Sequence, residues 1–267
     1  MTATANRPVL AGVDGSAASL AAVHWAAEEA RRRDTTLRLL HACVFEDATP
    51  PNPGELLLEH VHSRLRRAAD AAREGAPGVR VEAAVRLGLA VDLILAESAD
   101  AALVVLGSHG LGGLRGALIG SVALRVAAGA SCPVVVVPGR PGRTGPVVVG
   151  LDPSDSGEHA LRFALDEAAA LRAPVHVVRA WHDGYGVTEQ RDLETRVATW
   201  ARKYPALEIT AHAVRDRVPS RALLHAVPDA RLIVVGTRGR GPVTGGILGS
   251  TGNALLAHAA CPVAVVH

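Results

Sequence analysis

The stretch RPVLAGVDGS, residues 7–16, occurs in the chain a second time, as GPVVVGLDPS at residues 145–154. Two later stretches recur in the same order: ALVVLGSHG, from residue 102, matches RLIVVGTRG, from residue 231, and ASCPVVVV matches AACPVAVV. Three matched stretches in one order indicate that the chain contains two copies of a single structural unit. We therefore expect both halves to have the same fold.

The repeat predicts two domains, residues 1–138 and residues 146–267, with residues 139–145 as a linker rich in proline and glycine. Matched residues lie 138 positions apart at the first stretch and 129 apart at the later ones. The second copy has therefore lost nine residues in between. We assign the loss to residues 45–54, FEDATPPNPG, whose prolines and acidic residues are typical of a long loop.

Short apolar runs alternate with segments of helical periodicity in each half. In the first half the predicted strands are residues 8–13, 37–43, 79–86, 102–106 and 133–137, and the predicted helices are residues 17–33, 55–74, 91–99 and 121–130. Several strands are apolar throughout, which is typical of parallel strands buried on both faces. The alternation predicts an α/β fold of two tandem doubly wound domains, each a five-stranded parallel sheet in the order 3-2-1-4-5 flanked by helices.

Composition limits the partners that we expect. A length of 267 residues with 49% hydrophobic residues is enough for two buried cores. The net charge of +2 gives no basic excess for binding nucleic acid or an anionic membrane. No apolar run approaches the roughly 20 residues that a membrane-spanning helix needs. We therefore expect a cytoplasmic protein without nucleic-acid or membrane partners.

The cysteines do not predict a disulfide framework. Cys43, Cys132 and Cys261 are odd in number and lack CxxC spacing, which also argues against a zinc site. We expect reduced thiols, with Cys132 and Cys261 as small residues buried at the start of a strand.

A glycine-rich stretch, GSHGLGGLRGALIGS at residues 107–121, follows the fourth predicted strand. It contains neither the Walker sequence GxxxxGK[ST] nor the dinucleotide motif GxGxxG. What recurs in both halves is the spacing G-x2-G-x9-G-S. Its residues are Gly107, Gly110, Gly120 and Ser121 in the first half and Gly236, Gly239, Gly249 and Ser250 in the second.

This spacing favours a phosphate site. Gly107 and Gly110 would relieve side-chain crowding where the chain turns out of the strand, allow positive φ and bring backbone amides close to a ligand. Gly120 and Ser121 would open a helix whose N-terminal N–H groups attract anions. The alternative is structural: the glycines form a turn and Ser121 caps the helix. The same spacing in two otherwise divergent halves favours the ligand.

An aspartate follows the first predicted strand of each half, at Asp14 and Asp152. In a doubly wound sheet this position faces the residues that follow the fourth strand, across a crevice that binds ligands. A carboxylate there can bind a ribose hydroxyl or a Mg²⁺ ion that offsets phosphate charge. The alternative is a turn former, because Asp-Gly-Ser and Asp-Pro-Ser are common turn sequences. Next to a phosphate loop, we favour the ligand.

The stretches AGVDGS, VVLGSHGLGGLRGALIGSVA and SCPVVVV together resemble the universal stress protein family. The whole chain resembles the tandem two-domain form of that family, and the glycine spacing resembles its ATP-binding branch. This resemblance implies that each domain binds ATP with Mg²⁺ between its first and fourth strands. Asp14 and Asp152 are then the candidate Mg²⁺ ligands.

The same resemblance implies which residues bind the nucleotide. In the first domain they are Gly12, Asp14, Ala42, Gly107, Ser108, His109, Gly110, Gly112, Gly113, Gly120, Ser121 and Val122. In the second domain they are Gly150, Asp152, Ala180, Gly236, Thr237, Arg238, Gly239, Arg240, Gly241, Gly249, Ser250 and Thr251. The family pattern puts the glycines around the phosphates, the aspartate by the ribose and the alanine backbone by the adenine.

The resemblance also concerns assembly. In the family the last strand of each domain commonly pairs two domains, and here those strands are opened by Cys132-Pro133 and Cys261-Pro262. This implies an internal pseudo-dimer through the last strands, with a homodimer of two chains as a further form.

The two halves differ where the family pattern has arginine. The second half has Arg238 and Arg240, but the first half has His109 and Leu111. A histidine with an ordinary pKa of about 6.5 is largely neutral at pH 7. We therefore predict that the first domain binds ATP more weakly than the second.

Three functions remain open at this point. We favour an ATP-binding regulator of the stress or dormancy response, in which bound nucleotide fixes a conformation or a surface for an unknown regulatory partner. The alternative is a slow ATP-hydrolysing enzyme, and the third is a module that binds no ligand. We can assign no nucleophile or general base in either predicted crevice, which favours the regulator over the enzyme.

Overall fold

A computed structural model describes residues 7–44, 53–110, 119–139, 144–183, 186–237 and 248–267, without the side chains of residues 53–58. The chain divides into two compact units, Met1–Arg140 and Pro141–His267, each of which contains one half of the sequence repeat. We call them the first and the second domain.

The first domain alternates strands and helices along its whole length. Its strands are β1 (Val9–Gly12), β2 (Thr36–Cys43), β3 (Arg80–Leu87), β4 (Leu103–Gly107) and β5 (Val134–Val137), and its helices are α1 (Ala17–Arg32), α2 (Pro53–Gly75), α3 (Ala90–Ser98) and α4 (Ser121–Gly129). The strand pairs are parallel, in the order β3-β2-β1-β4-β5. The predicted order 3-2-1-4-5 is confirmed.

The second domain repeats this arrangement. Its strands are β6 (Val147–Gly150), β7 (Val175–Trp181), β8 (Ile209–Arg215), β9 (Leu232–Gly236) and β10 (Val263–Val266), and its helices are α5 (Asp155–Leu171), α6 (Gly186–Ala201), α7 (Pro219–Ala226) and α8 (Ser250–His258). The parallel order β8-β7-β6-β9-β10 is again 3-2-1-4-5. Among the helices that the structure describes in either domain, none has the length and apolarity to cross a membrane.

Apolar side chains on both faces of the central strands form the core. In the first domain Val9 and Val104, on β1 and β4, are fully buried. One stripe of α1 consists of alanines, and Ala22, Ala26 and Ala30 are fully buried against the sheet. Because these side chains are small, the helix packs close to the strands. This close packing positions the start of α1 beside the end of β4.

The second domain is shorter in the second helix and in the connection before it. Helix α2 has 23 residues and its counterpart α6 has 16, while nine residues (44–52) separate β2 from α2 and four (182–185) separate β7 from α6. The assignment of the loss to a loop at residues 45–54 is therefore wrong in part. Pro53 and Gly54 belong to the first turn of α2, where proline is well tolerated, and residues 45–52 lie outside the described part of the chain.

All three cysteines are free and buried, which confirms the predicted burial of Cys132 and Cys261; the burial of Cys43 was not predicted. Burial raises the pKa of Cys132 to about 12 and also raises the pKa of Cys43. Thiols with raised pKa values are poor nucleophiles at neutral pH, because only the thiolate reacts. We therefore assign them no role beyond packing.

Candidate functional site

The candidate site of each domain lies where the strand order reverses, beyond the carboxyl ends of the first and fourth strands. In the first domain these strands are β1 and β4, which pair in parallel. Asp14 follows β1, and Gly110 follows β4. A Cβ atom added to Gly110 would lie 2.8 Å from Oδ2 of Asp14. The structure therefore brings the aspartate and the glycine loop together.

The first glycine of the loop is required for packing. A Cβ atom on Gly107 would lie 2.6 Å from the carbonyl carbon of Ala18 and 2.7 Å from the amide nitrogen of Ser19, both in the backbone of α1. In the second domain a Cβ atom on Gly236 would lie 2.6 Å from Oγ and 2.9 Å from the carbonyl carbon of Ser156 in α5. In both domains this glycine lets the helix start touch the end of the fourth strand.

Our prediction of positive φ at Gly107 and Gly110 is wrong. In the first domain the described glycines with positive φ are Gly15, Gly78 and Gly88. Gly15, with φ of +86°, lies directly after Asp14, where it turns the chain from β1 into α1. At this site the residue with positive φ is therefore Gly15, on the aspartate side of the crevice.

A serine that we did not predict connects the two sides. The side chain of Ser16 is the N-cap of α1 and accepts a hydrogen bond from the amide of Ser19 at 3.1 Å. Its hydroxyl donates to the carbonyl oxygen of His109 at 3.1 Å. In the second domain the N-cap is Ser154, which accepts from the amide of Gly157 at 3.1 Å. The signal in the sequence was a serine at the N-cap position of each first helix.

The helix after the glycine loop begins without a side-chain cap in both domains. Gly120 is the N-cap of α4, and its amide donates to the carbonyl oxygen of Ser108 at 2.7 Å. Gly249 is the N-cap of α8, and its amide donates to Thr237 at 3.1 Å. Ser121 is the first residue of α4, so the alternative in which Ser121 caps the helix is wrong.

These uncapped helix starts carry unsatisfied donors. Within the described residues, the amides of Ser121 and Val122 in α4 and of Ser250 and Thr251 in α8 have no protein acceptor. Such amides at the positive end of the helix dipole form an anion site. The geometry therefore suits a phosphate group at both helix starts.

The turn-forming role of the aspartates is real. Oδ1 of Asp14 accepts a hydrogen bond from the amide of Ser16 at 2.9 Å, and Oδ1 of Asp152 accepts from the amide of Ser154 at 3.2 Å and from its hydroxyl. A carboxylate has about four acceptor positions on its two oxygens. Each aspartate can therefore hold its turn and still bind a ligand.

A cavity of about 440 Å³ occupies the crevice of the first domain. Its apolar lining includes Leu40, Ala90, Ile94 and Leu106, none of which we predicted. Nine of the predicted residues line it: Gly12, Asp14, Ala42, Gly107, His109, Gly110, Gly120, Ser121 and Val122. Ser108 is buried beside the cavity, with its hydroxyl 2.8 Å from Nδ1 of His109.

The cavity of the second domain is larger, at about 520 Å³. The predicted residues that line it are Gly150, Asp152, Ala180, Gly236, Thr237, Gly249, Ser250 and Thr251. It is also more polar, because residues that our prediction missed line it: Arg179, Trp181, His182, Asp183, Glu189, Asp216 and Arg217. Six predicted residues of the two loops lie outside the described part of the chain: Gly112, Gly113, Arg238, Gly239, Arg240 and Gly241. Leu111, at the position where the family pattern has arginine, also lies there.

A buried arginine distinguishes the second domain. Arg179, which is 8% exposed, donates from Nε to the carbonyl oxygen of Leu151 at 3.4 Å and lies 3.7 Å from the Glu189 carboxylate. Its counterpart in the first domain is His41, whose pKa is lowered mainly by burial. The second domain therefore holds a permanent positive charge beside β6, where the first domain has a neutral imidazole.

The structure corrects one alignment of the two halves. At the offset of 129 residues that the later matched stretches share, Arg217 pairs with Gly88 in the sequence. The amide of Gly88, however, donates to the carbonyl oxygen of Cys43 at 2.8 Å, and it is the amide of Asp216 that makes the matching bond, to Trp181 at 2.9 Å. Asp216 is therefore the counterpart of Gly88, which puts an acidic residue at the edge of the second cavity.

Asp216 is held in its charged form. The guanidinium of Arg221 donates to both carboxylate oxygens, at 2.7 and 2.8 Å, and the amide of Val218 donates at 2.8 Å. The Arg221 hydrogen bonds, followed by the Val218 amide, lower the pKa of Asp216 to about 2. Asp216 thus joins the end of β8 to the start of α7.

The residues present fit a Mg²⁺ ion only in company with a nucleotide. Within the residues that the structure describes, no group of three or more His, Cys, Asp or Glu side chains is arranged to hold a metal ion. An ion beside Asp14 or Asp152 would take one carboxylate oxygen from the protein and its other ligands from phosphate and water. Mg²⁺ is commonly bound in this way.

Comparison with known proteins identifies the family. The universal stress protein family profile matches residues 5–138 and 144–267. Universal stress protein Rv2623 of Mycobacterium tuberculosis is 34% identical over 285 residues, which cover 96% of this chain and 95% of the relative. Universal stress protein Rv2005c of the same organism is 34% identical over 287 residues, which cover 96% of each chain.

A solved structure shows that the fold is shared over both domains. A universal stress protein from Archaeoglobus fulgidus matches this chain with a TM-score of 0.78 and 21% identity, covering 97% of this chain and 96% of that one. The family match extends over both halves of the repeat. The chain therefore belongs to the universal stress protein family, in its tandem two-domain form.

Proposed function

We propose that the chain is a regulator of the stress or dormancy response that binds one ATP molecule in each domain. The observation that carries this proposal is an uncapped helix start that faces an aspartate across a crevice, present twice in one chain. The unsatisfied amides of the helix start supply a site for an anion. The rest of the crevice supplies an apolar pocket of suitable size for a base.

The orientation of the nucleotide follows from the chemistry of the residues that line each cavity. In the first domain the apolar side chains of Leu40 and Ile94 suit the adenine, and the amides of Ser121 and Val122 suit the phosphates. Asp14 lines the same cavity, and a carboxylate can bind a ribose hydroxyl or a Mg²⁺ ion. The second cavity offers Val178 and Leu223 as apolar side chains and the start of α8 for the phosphates.

A regulatory role requires that the bound nucleotide persists. Among the described residues that line the two crevices, we assign the activation of water to no side chain. Bound ATP would then act as a structural ligand, because it links the start of the fourth helix to the aspartate turn. The surface that a protein partner recognises would change with the occupancy of the crevice.

Nucleotide retention tests the proposal directly. The chain is purified without added nucleotide, denatured with acid, and the supernatant is separated by ion-exchange chromatography. ATP in the supernatant supports the regulator. A predominance of ADP or AMP, with release of phosphate from added ATP, supports the slow ATPase instead. If no nucleotide is retained and millimolar ATP causes no change in the melting temperature, neither crevice is a nucleotide site.

A chelator then tests the role of Mg²⁺. We expect ATP affinity to fall when EDTA removes the divalent ion, because the charge of the triphosphate beside Asp14 and Asp152 is no longer offset. The matched measurement uses AMP, whose single phosphate is further from the proposed ion. Equal EDTA effects on ATP and AMP would exclude a Mg²⁺ ion between the aspartate and the terminal phosphates.

A further inference from the structure

Two histidines of the second domain lie side by side away from the glycine loop. His176 is on β7 and His212 is on β8, and their ring centroids are 6.0 Å apart. In the parallel pairing of these strands, His176 is opposite Thr210, and His212 follows two residues later. Residues two apart in a strand face the same side of the sheet. The two imidazoles and the threonine therefore share one face.

The same place in the first domain contains ion pairs. Arg38 is the counterpart of His176 in the repeat, and Arg38 is opposite Glu82 on β3. The Arg38 guanidinium lies 3.5 Å from Glu82 and 3.1 Å from Glu97 of α3. In the second domain Thr210 takes the position of Glu82. The imidazole of His176 therefore has no carboxylate opposite it, whereas the guanidinium of Arg38 has the carboxylate of Glu82.

The environment of His176 favours its neutral form. Burial, followed by the neighbouring His212, lowers the pKa of His176, and Glu208 acts in the opposite direction. A neutral imidazole has a lone pair for a metal ion. The hydroxyl of Thr210 is buried and has no hydrogen-bond partner within the described part of the chain. A water molecule on a nearby metal ion would satisfy this hydroxyl.

The spacing of the rings is compatible with one shared ion. Bonds from zinc to histidine nitrogen are about 2.0–2.1 Å long. When two imidazoles bind the same ion, their ring centroids therefore lie on the order of 5–6 Å apart. Imidazole is a good ligand for Zn²⁺ and Cu²⁺, and Cu²⁺ binds more tightly. We propose that His176 and His212 form a binding site for a divalent transition metal ion, Zn²⁺ or Cu²⁺, on the outer strands of the second domain.

The site as described has two protein ligands. No group of three or more His, Cys, Asp or Glu side chains is arranged around an ion in the described segments, so water completes the coordination shell. Glu208, just before β8, is near enough to influence the pKa of His176 and balances part of the charge of the ion. Such an open site exchanges its metal with solvent.

Copper binding tests the proposal. The untagged, nucleotide-free chain receives one equivalent of Cu²⁺, and electron paramagnetic resonance measures the number of coordinating nitrogens. We expect splitting from two imidazole nitrogens. A competing chelator gives the affinities for Cu²⁺ and Zn²⁺ of the wild type and of the variants His176→Gln, His212→Gln and His258→Gln. His258, an exposed residue of α8, serves as the matched control.

The variants His176→Gln and His212→Gln should each bind both metals at least about tenfold more weakly. Even the loss of a group that only hydrogen-bonds to a metal ligand lowers metal affinity about 10–100-fold. The control should bind like the wild type. His212 is exposed, so its glutamine variant should keep the fold, and circular dichroism checks this. Unchanged affinity in either pair variant, or a copper spectrum without two nitrogens, would overturn the proposal. ATP binding in the crevices is measured separately and does not enter this test.

Discussion

At the scale of single residues, the glycine loop is specified by packing more than by backbone strain. The Cβ clash at Gly107 and at Gly236 involves the backbone or the first side-chain atoms of the preceding helix start, which cannot move away easily. The recurring spacing in the sequence correctly predicted where these glycines lie. It could not distinguish a requirement for close contact from a requirement for positive φ, because glycine meets both.

Substitution of Gly107 by alanine should destabilise the first domain. The new methyl group would lie within 2.7 Å of two backbone atoms of α1, and overpacking of this kind costs about 1–3 kcal/mol. Gly129→Ala is the matched control, because its Cβ atom would meet only Leu95 at an ordinary 3.5 Å. Urea denaturation measures both. Equal stability of the two variants would show that α1 does not restrict Gly107.

The N-cap serine should matter for the loop as well as for its helix. Ser16→Ala removes the cap of α1 and the hydrogen bond to the His109 carbonyl, and loss of a cap costs about 0.5–2 kcal/mol. We expect lower stability in urea together with weaker ATP binding in the first domain. Ser154→Ala, the matched change in the second domain, should leave ATP binding in the first domain unchanged. Weakened stability with intact ATP affinity in Ser16→Ala would limit the role of the serine to capping.

Asp216 should titrate far below an ordinary aspartate. Its pKa of about 2 in the folded chain lies below the usual 3.8. The bond to Arg221 therefore stabilises the folded chain fully above pH 3.8, and this stabilisation is lost as the pH falls through about 2. The carboxyl carbon shift in NMR follows this titration. Arg221→Gln should raise the midpoint, although the Val218 amide should keep it below 3.8. A wild-type midpoint near 3.8 would contradict the ion pair.

At the scale of elements, the sequence predicted all nine strands and helices of the first domain, with small errors at their ends. The reason is that apolar runs and helical periodicity report burial directly. The difference between α2 and α6 was not predictable, because deleted residues can come from a loop or from a helix without changing the strands. The shift that pairs Asp216 with Gly88 was missed because β3 and β8 are partly exposed edge strands with little shared sequence.

The sequence also predicted only some of the residues that line the two cavities. The predicted residues come from short motifs, and most described ones line the cavities. Ile94 and Arg179 were missed because they reach the site from α3 and β7, where no motif marks them. Such residues become visible only when the packing of the elements is known.

The helix starts predict how affinity depends on the phosphates. If the amides of α4 and α8 bind phosphate, affinity should fall from ATP to ADP to AMP, because each lost phosphate removes charge near the helix dipole. Isothermal titration calorimetry of the wild-type chain with the three nucleotides measures this order. Equal affinities for ATP and AMP would show that the helix starts make no phosphate contact.

At the scale of the whole molecule, the two domains share a fold but differ in charge. The described lining of the second cavity contains two arginines, Arg179 and Arg217, and four carboxylates, Asp152, Asp183, Glu189 and Asp216, whereas that of the first contains one carboxylate, Asp14, and no arginine. Arg238 and Arg240 of the second domain, which lie outside the described residues, replace His109 and Leu111. On these two arginines we base the prediction that the second domain binds ATP more tightly. Pairing of the domains through their last strands stays a prediction.

Single-site variants can separate the two affinities. Asp14→Ala leaves the second site intact, and Asp152→Ala leaves the first. We expect the Asp14→Ala chain to bind ATP more tightly than the Asp152→Ala chain, because its intact second domain carries Arg238 and Arg240 where the first domain has His109 and Leu111. Calorimetric titration with ATP and Mg²⁺ measures both, and equal affinities would contradict the predicted inequality.

The stoichiometry of ATP binding tests the central claim most directly. Titration of the nucleotide-free wild-type chain with ATP and Mg²⁺ should give two ATP molecules per chain, and each aspartate variant should lose one of them. These results would assign one nucleotide to each crevice. Absence of binding at millimolar ATP, or a single site that survives both aspartate substitutions, would contradict the account.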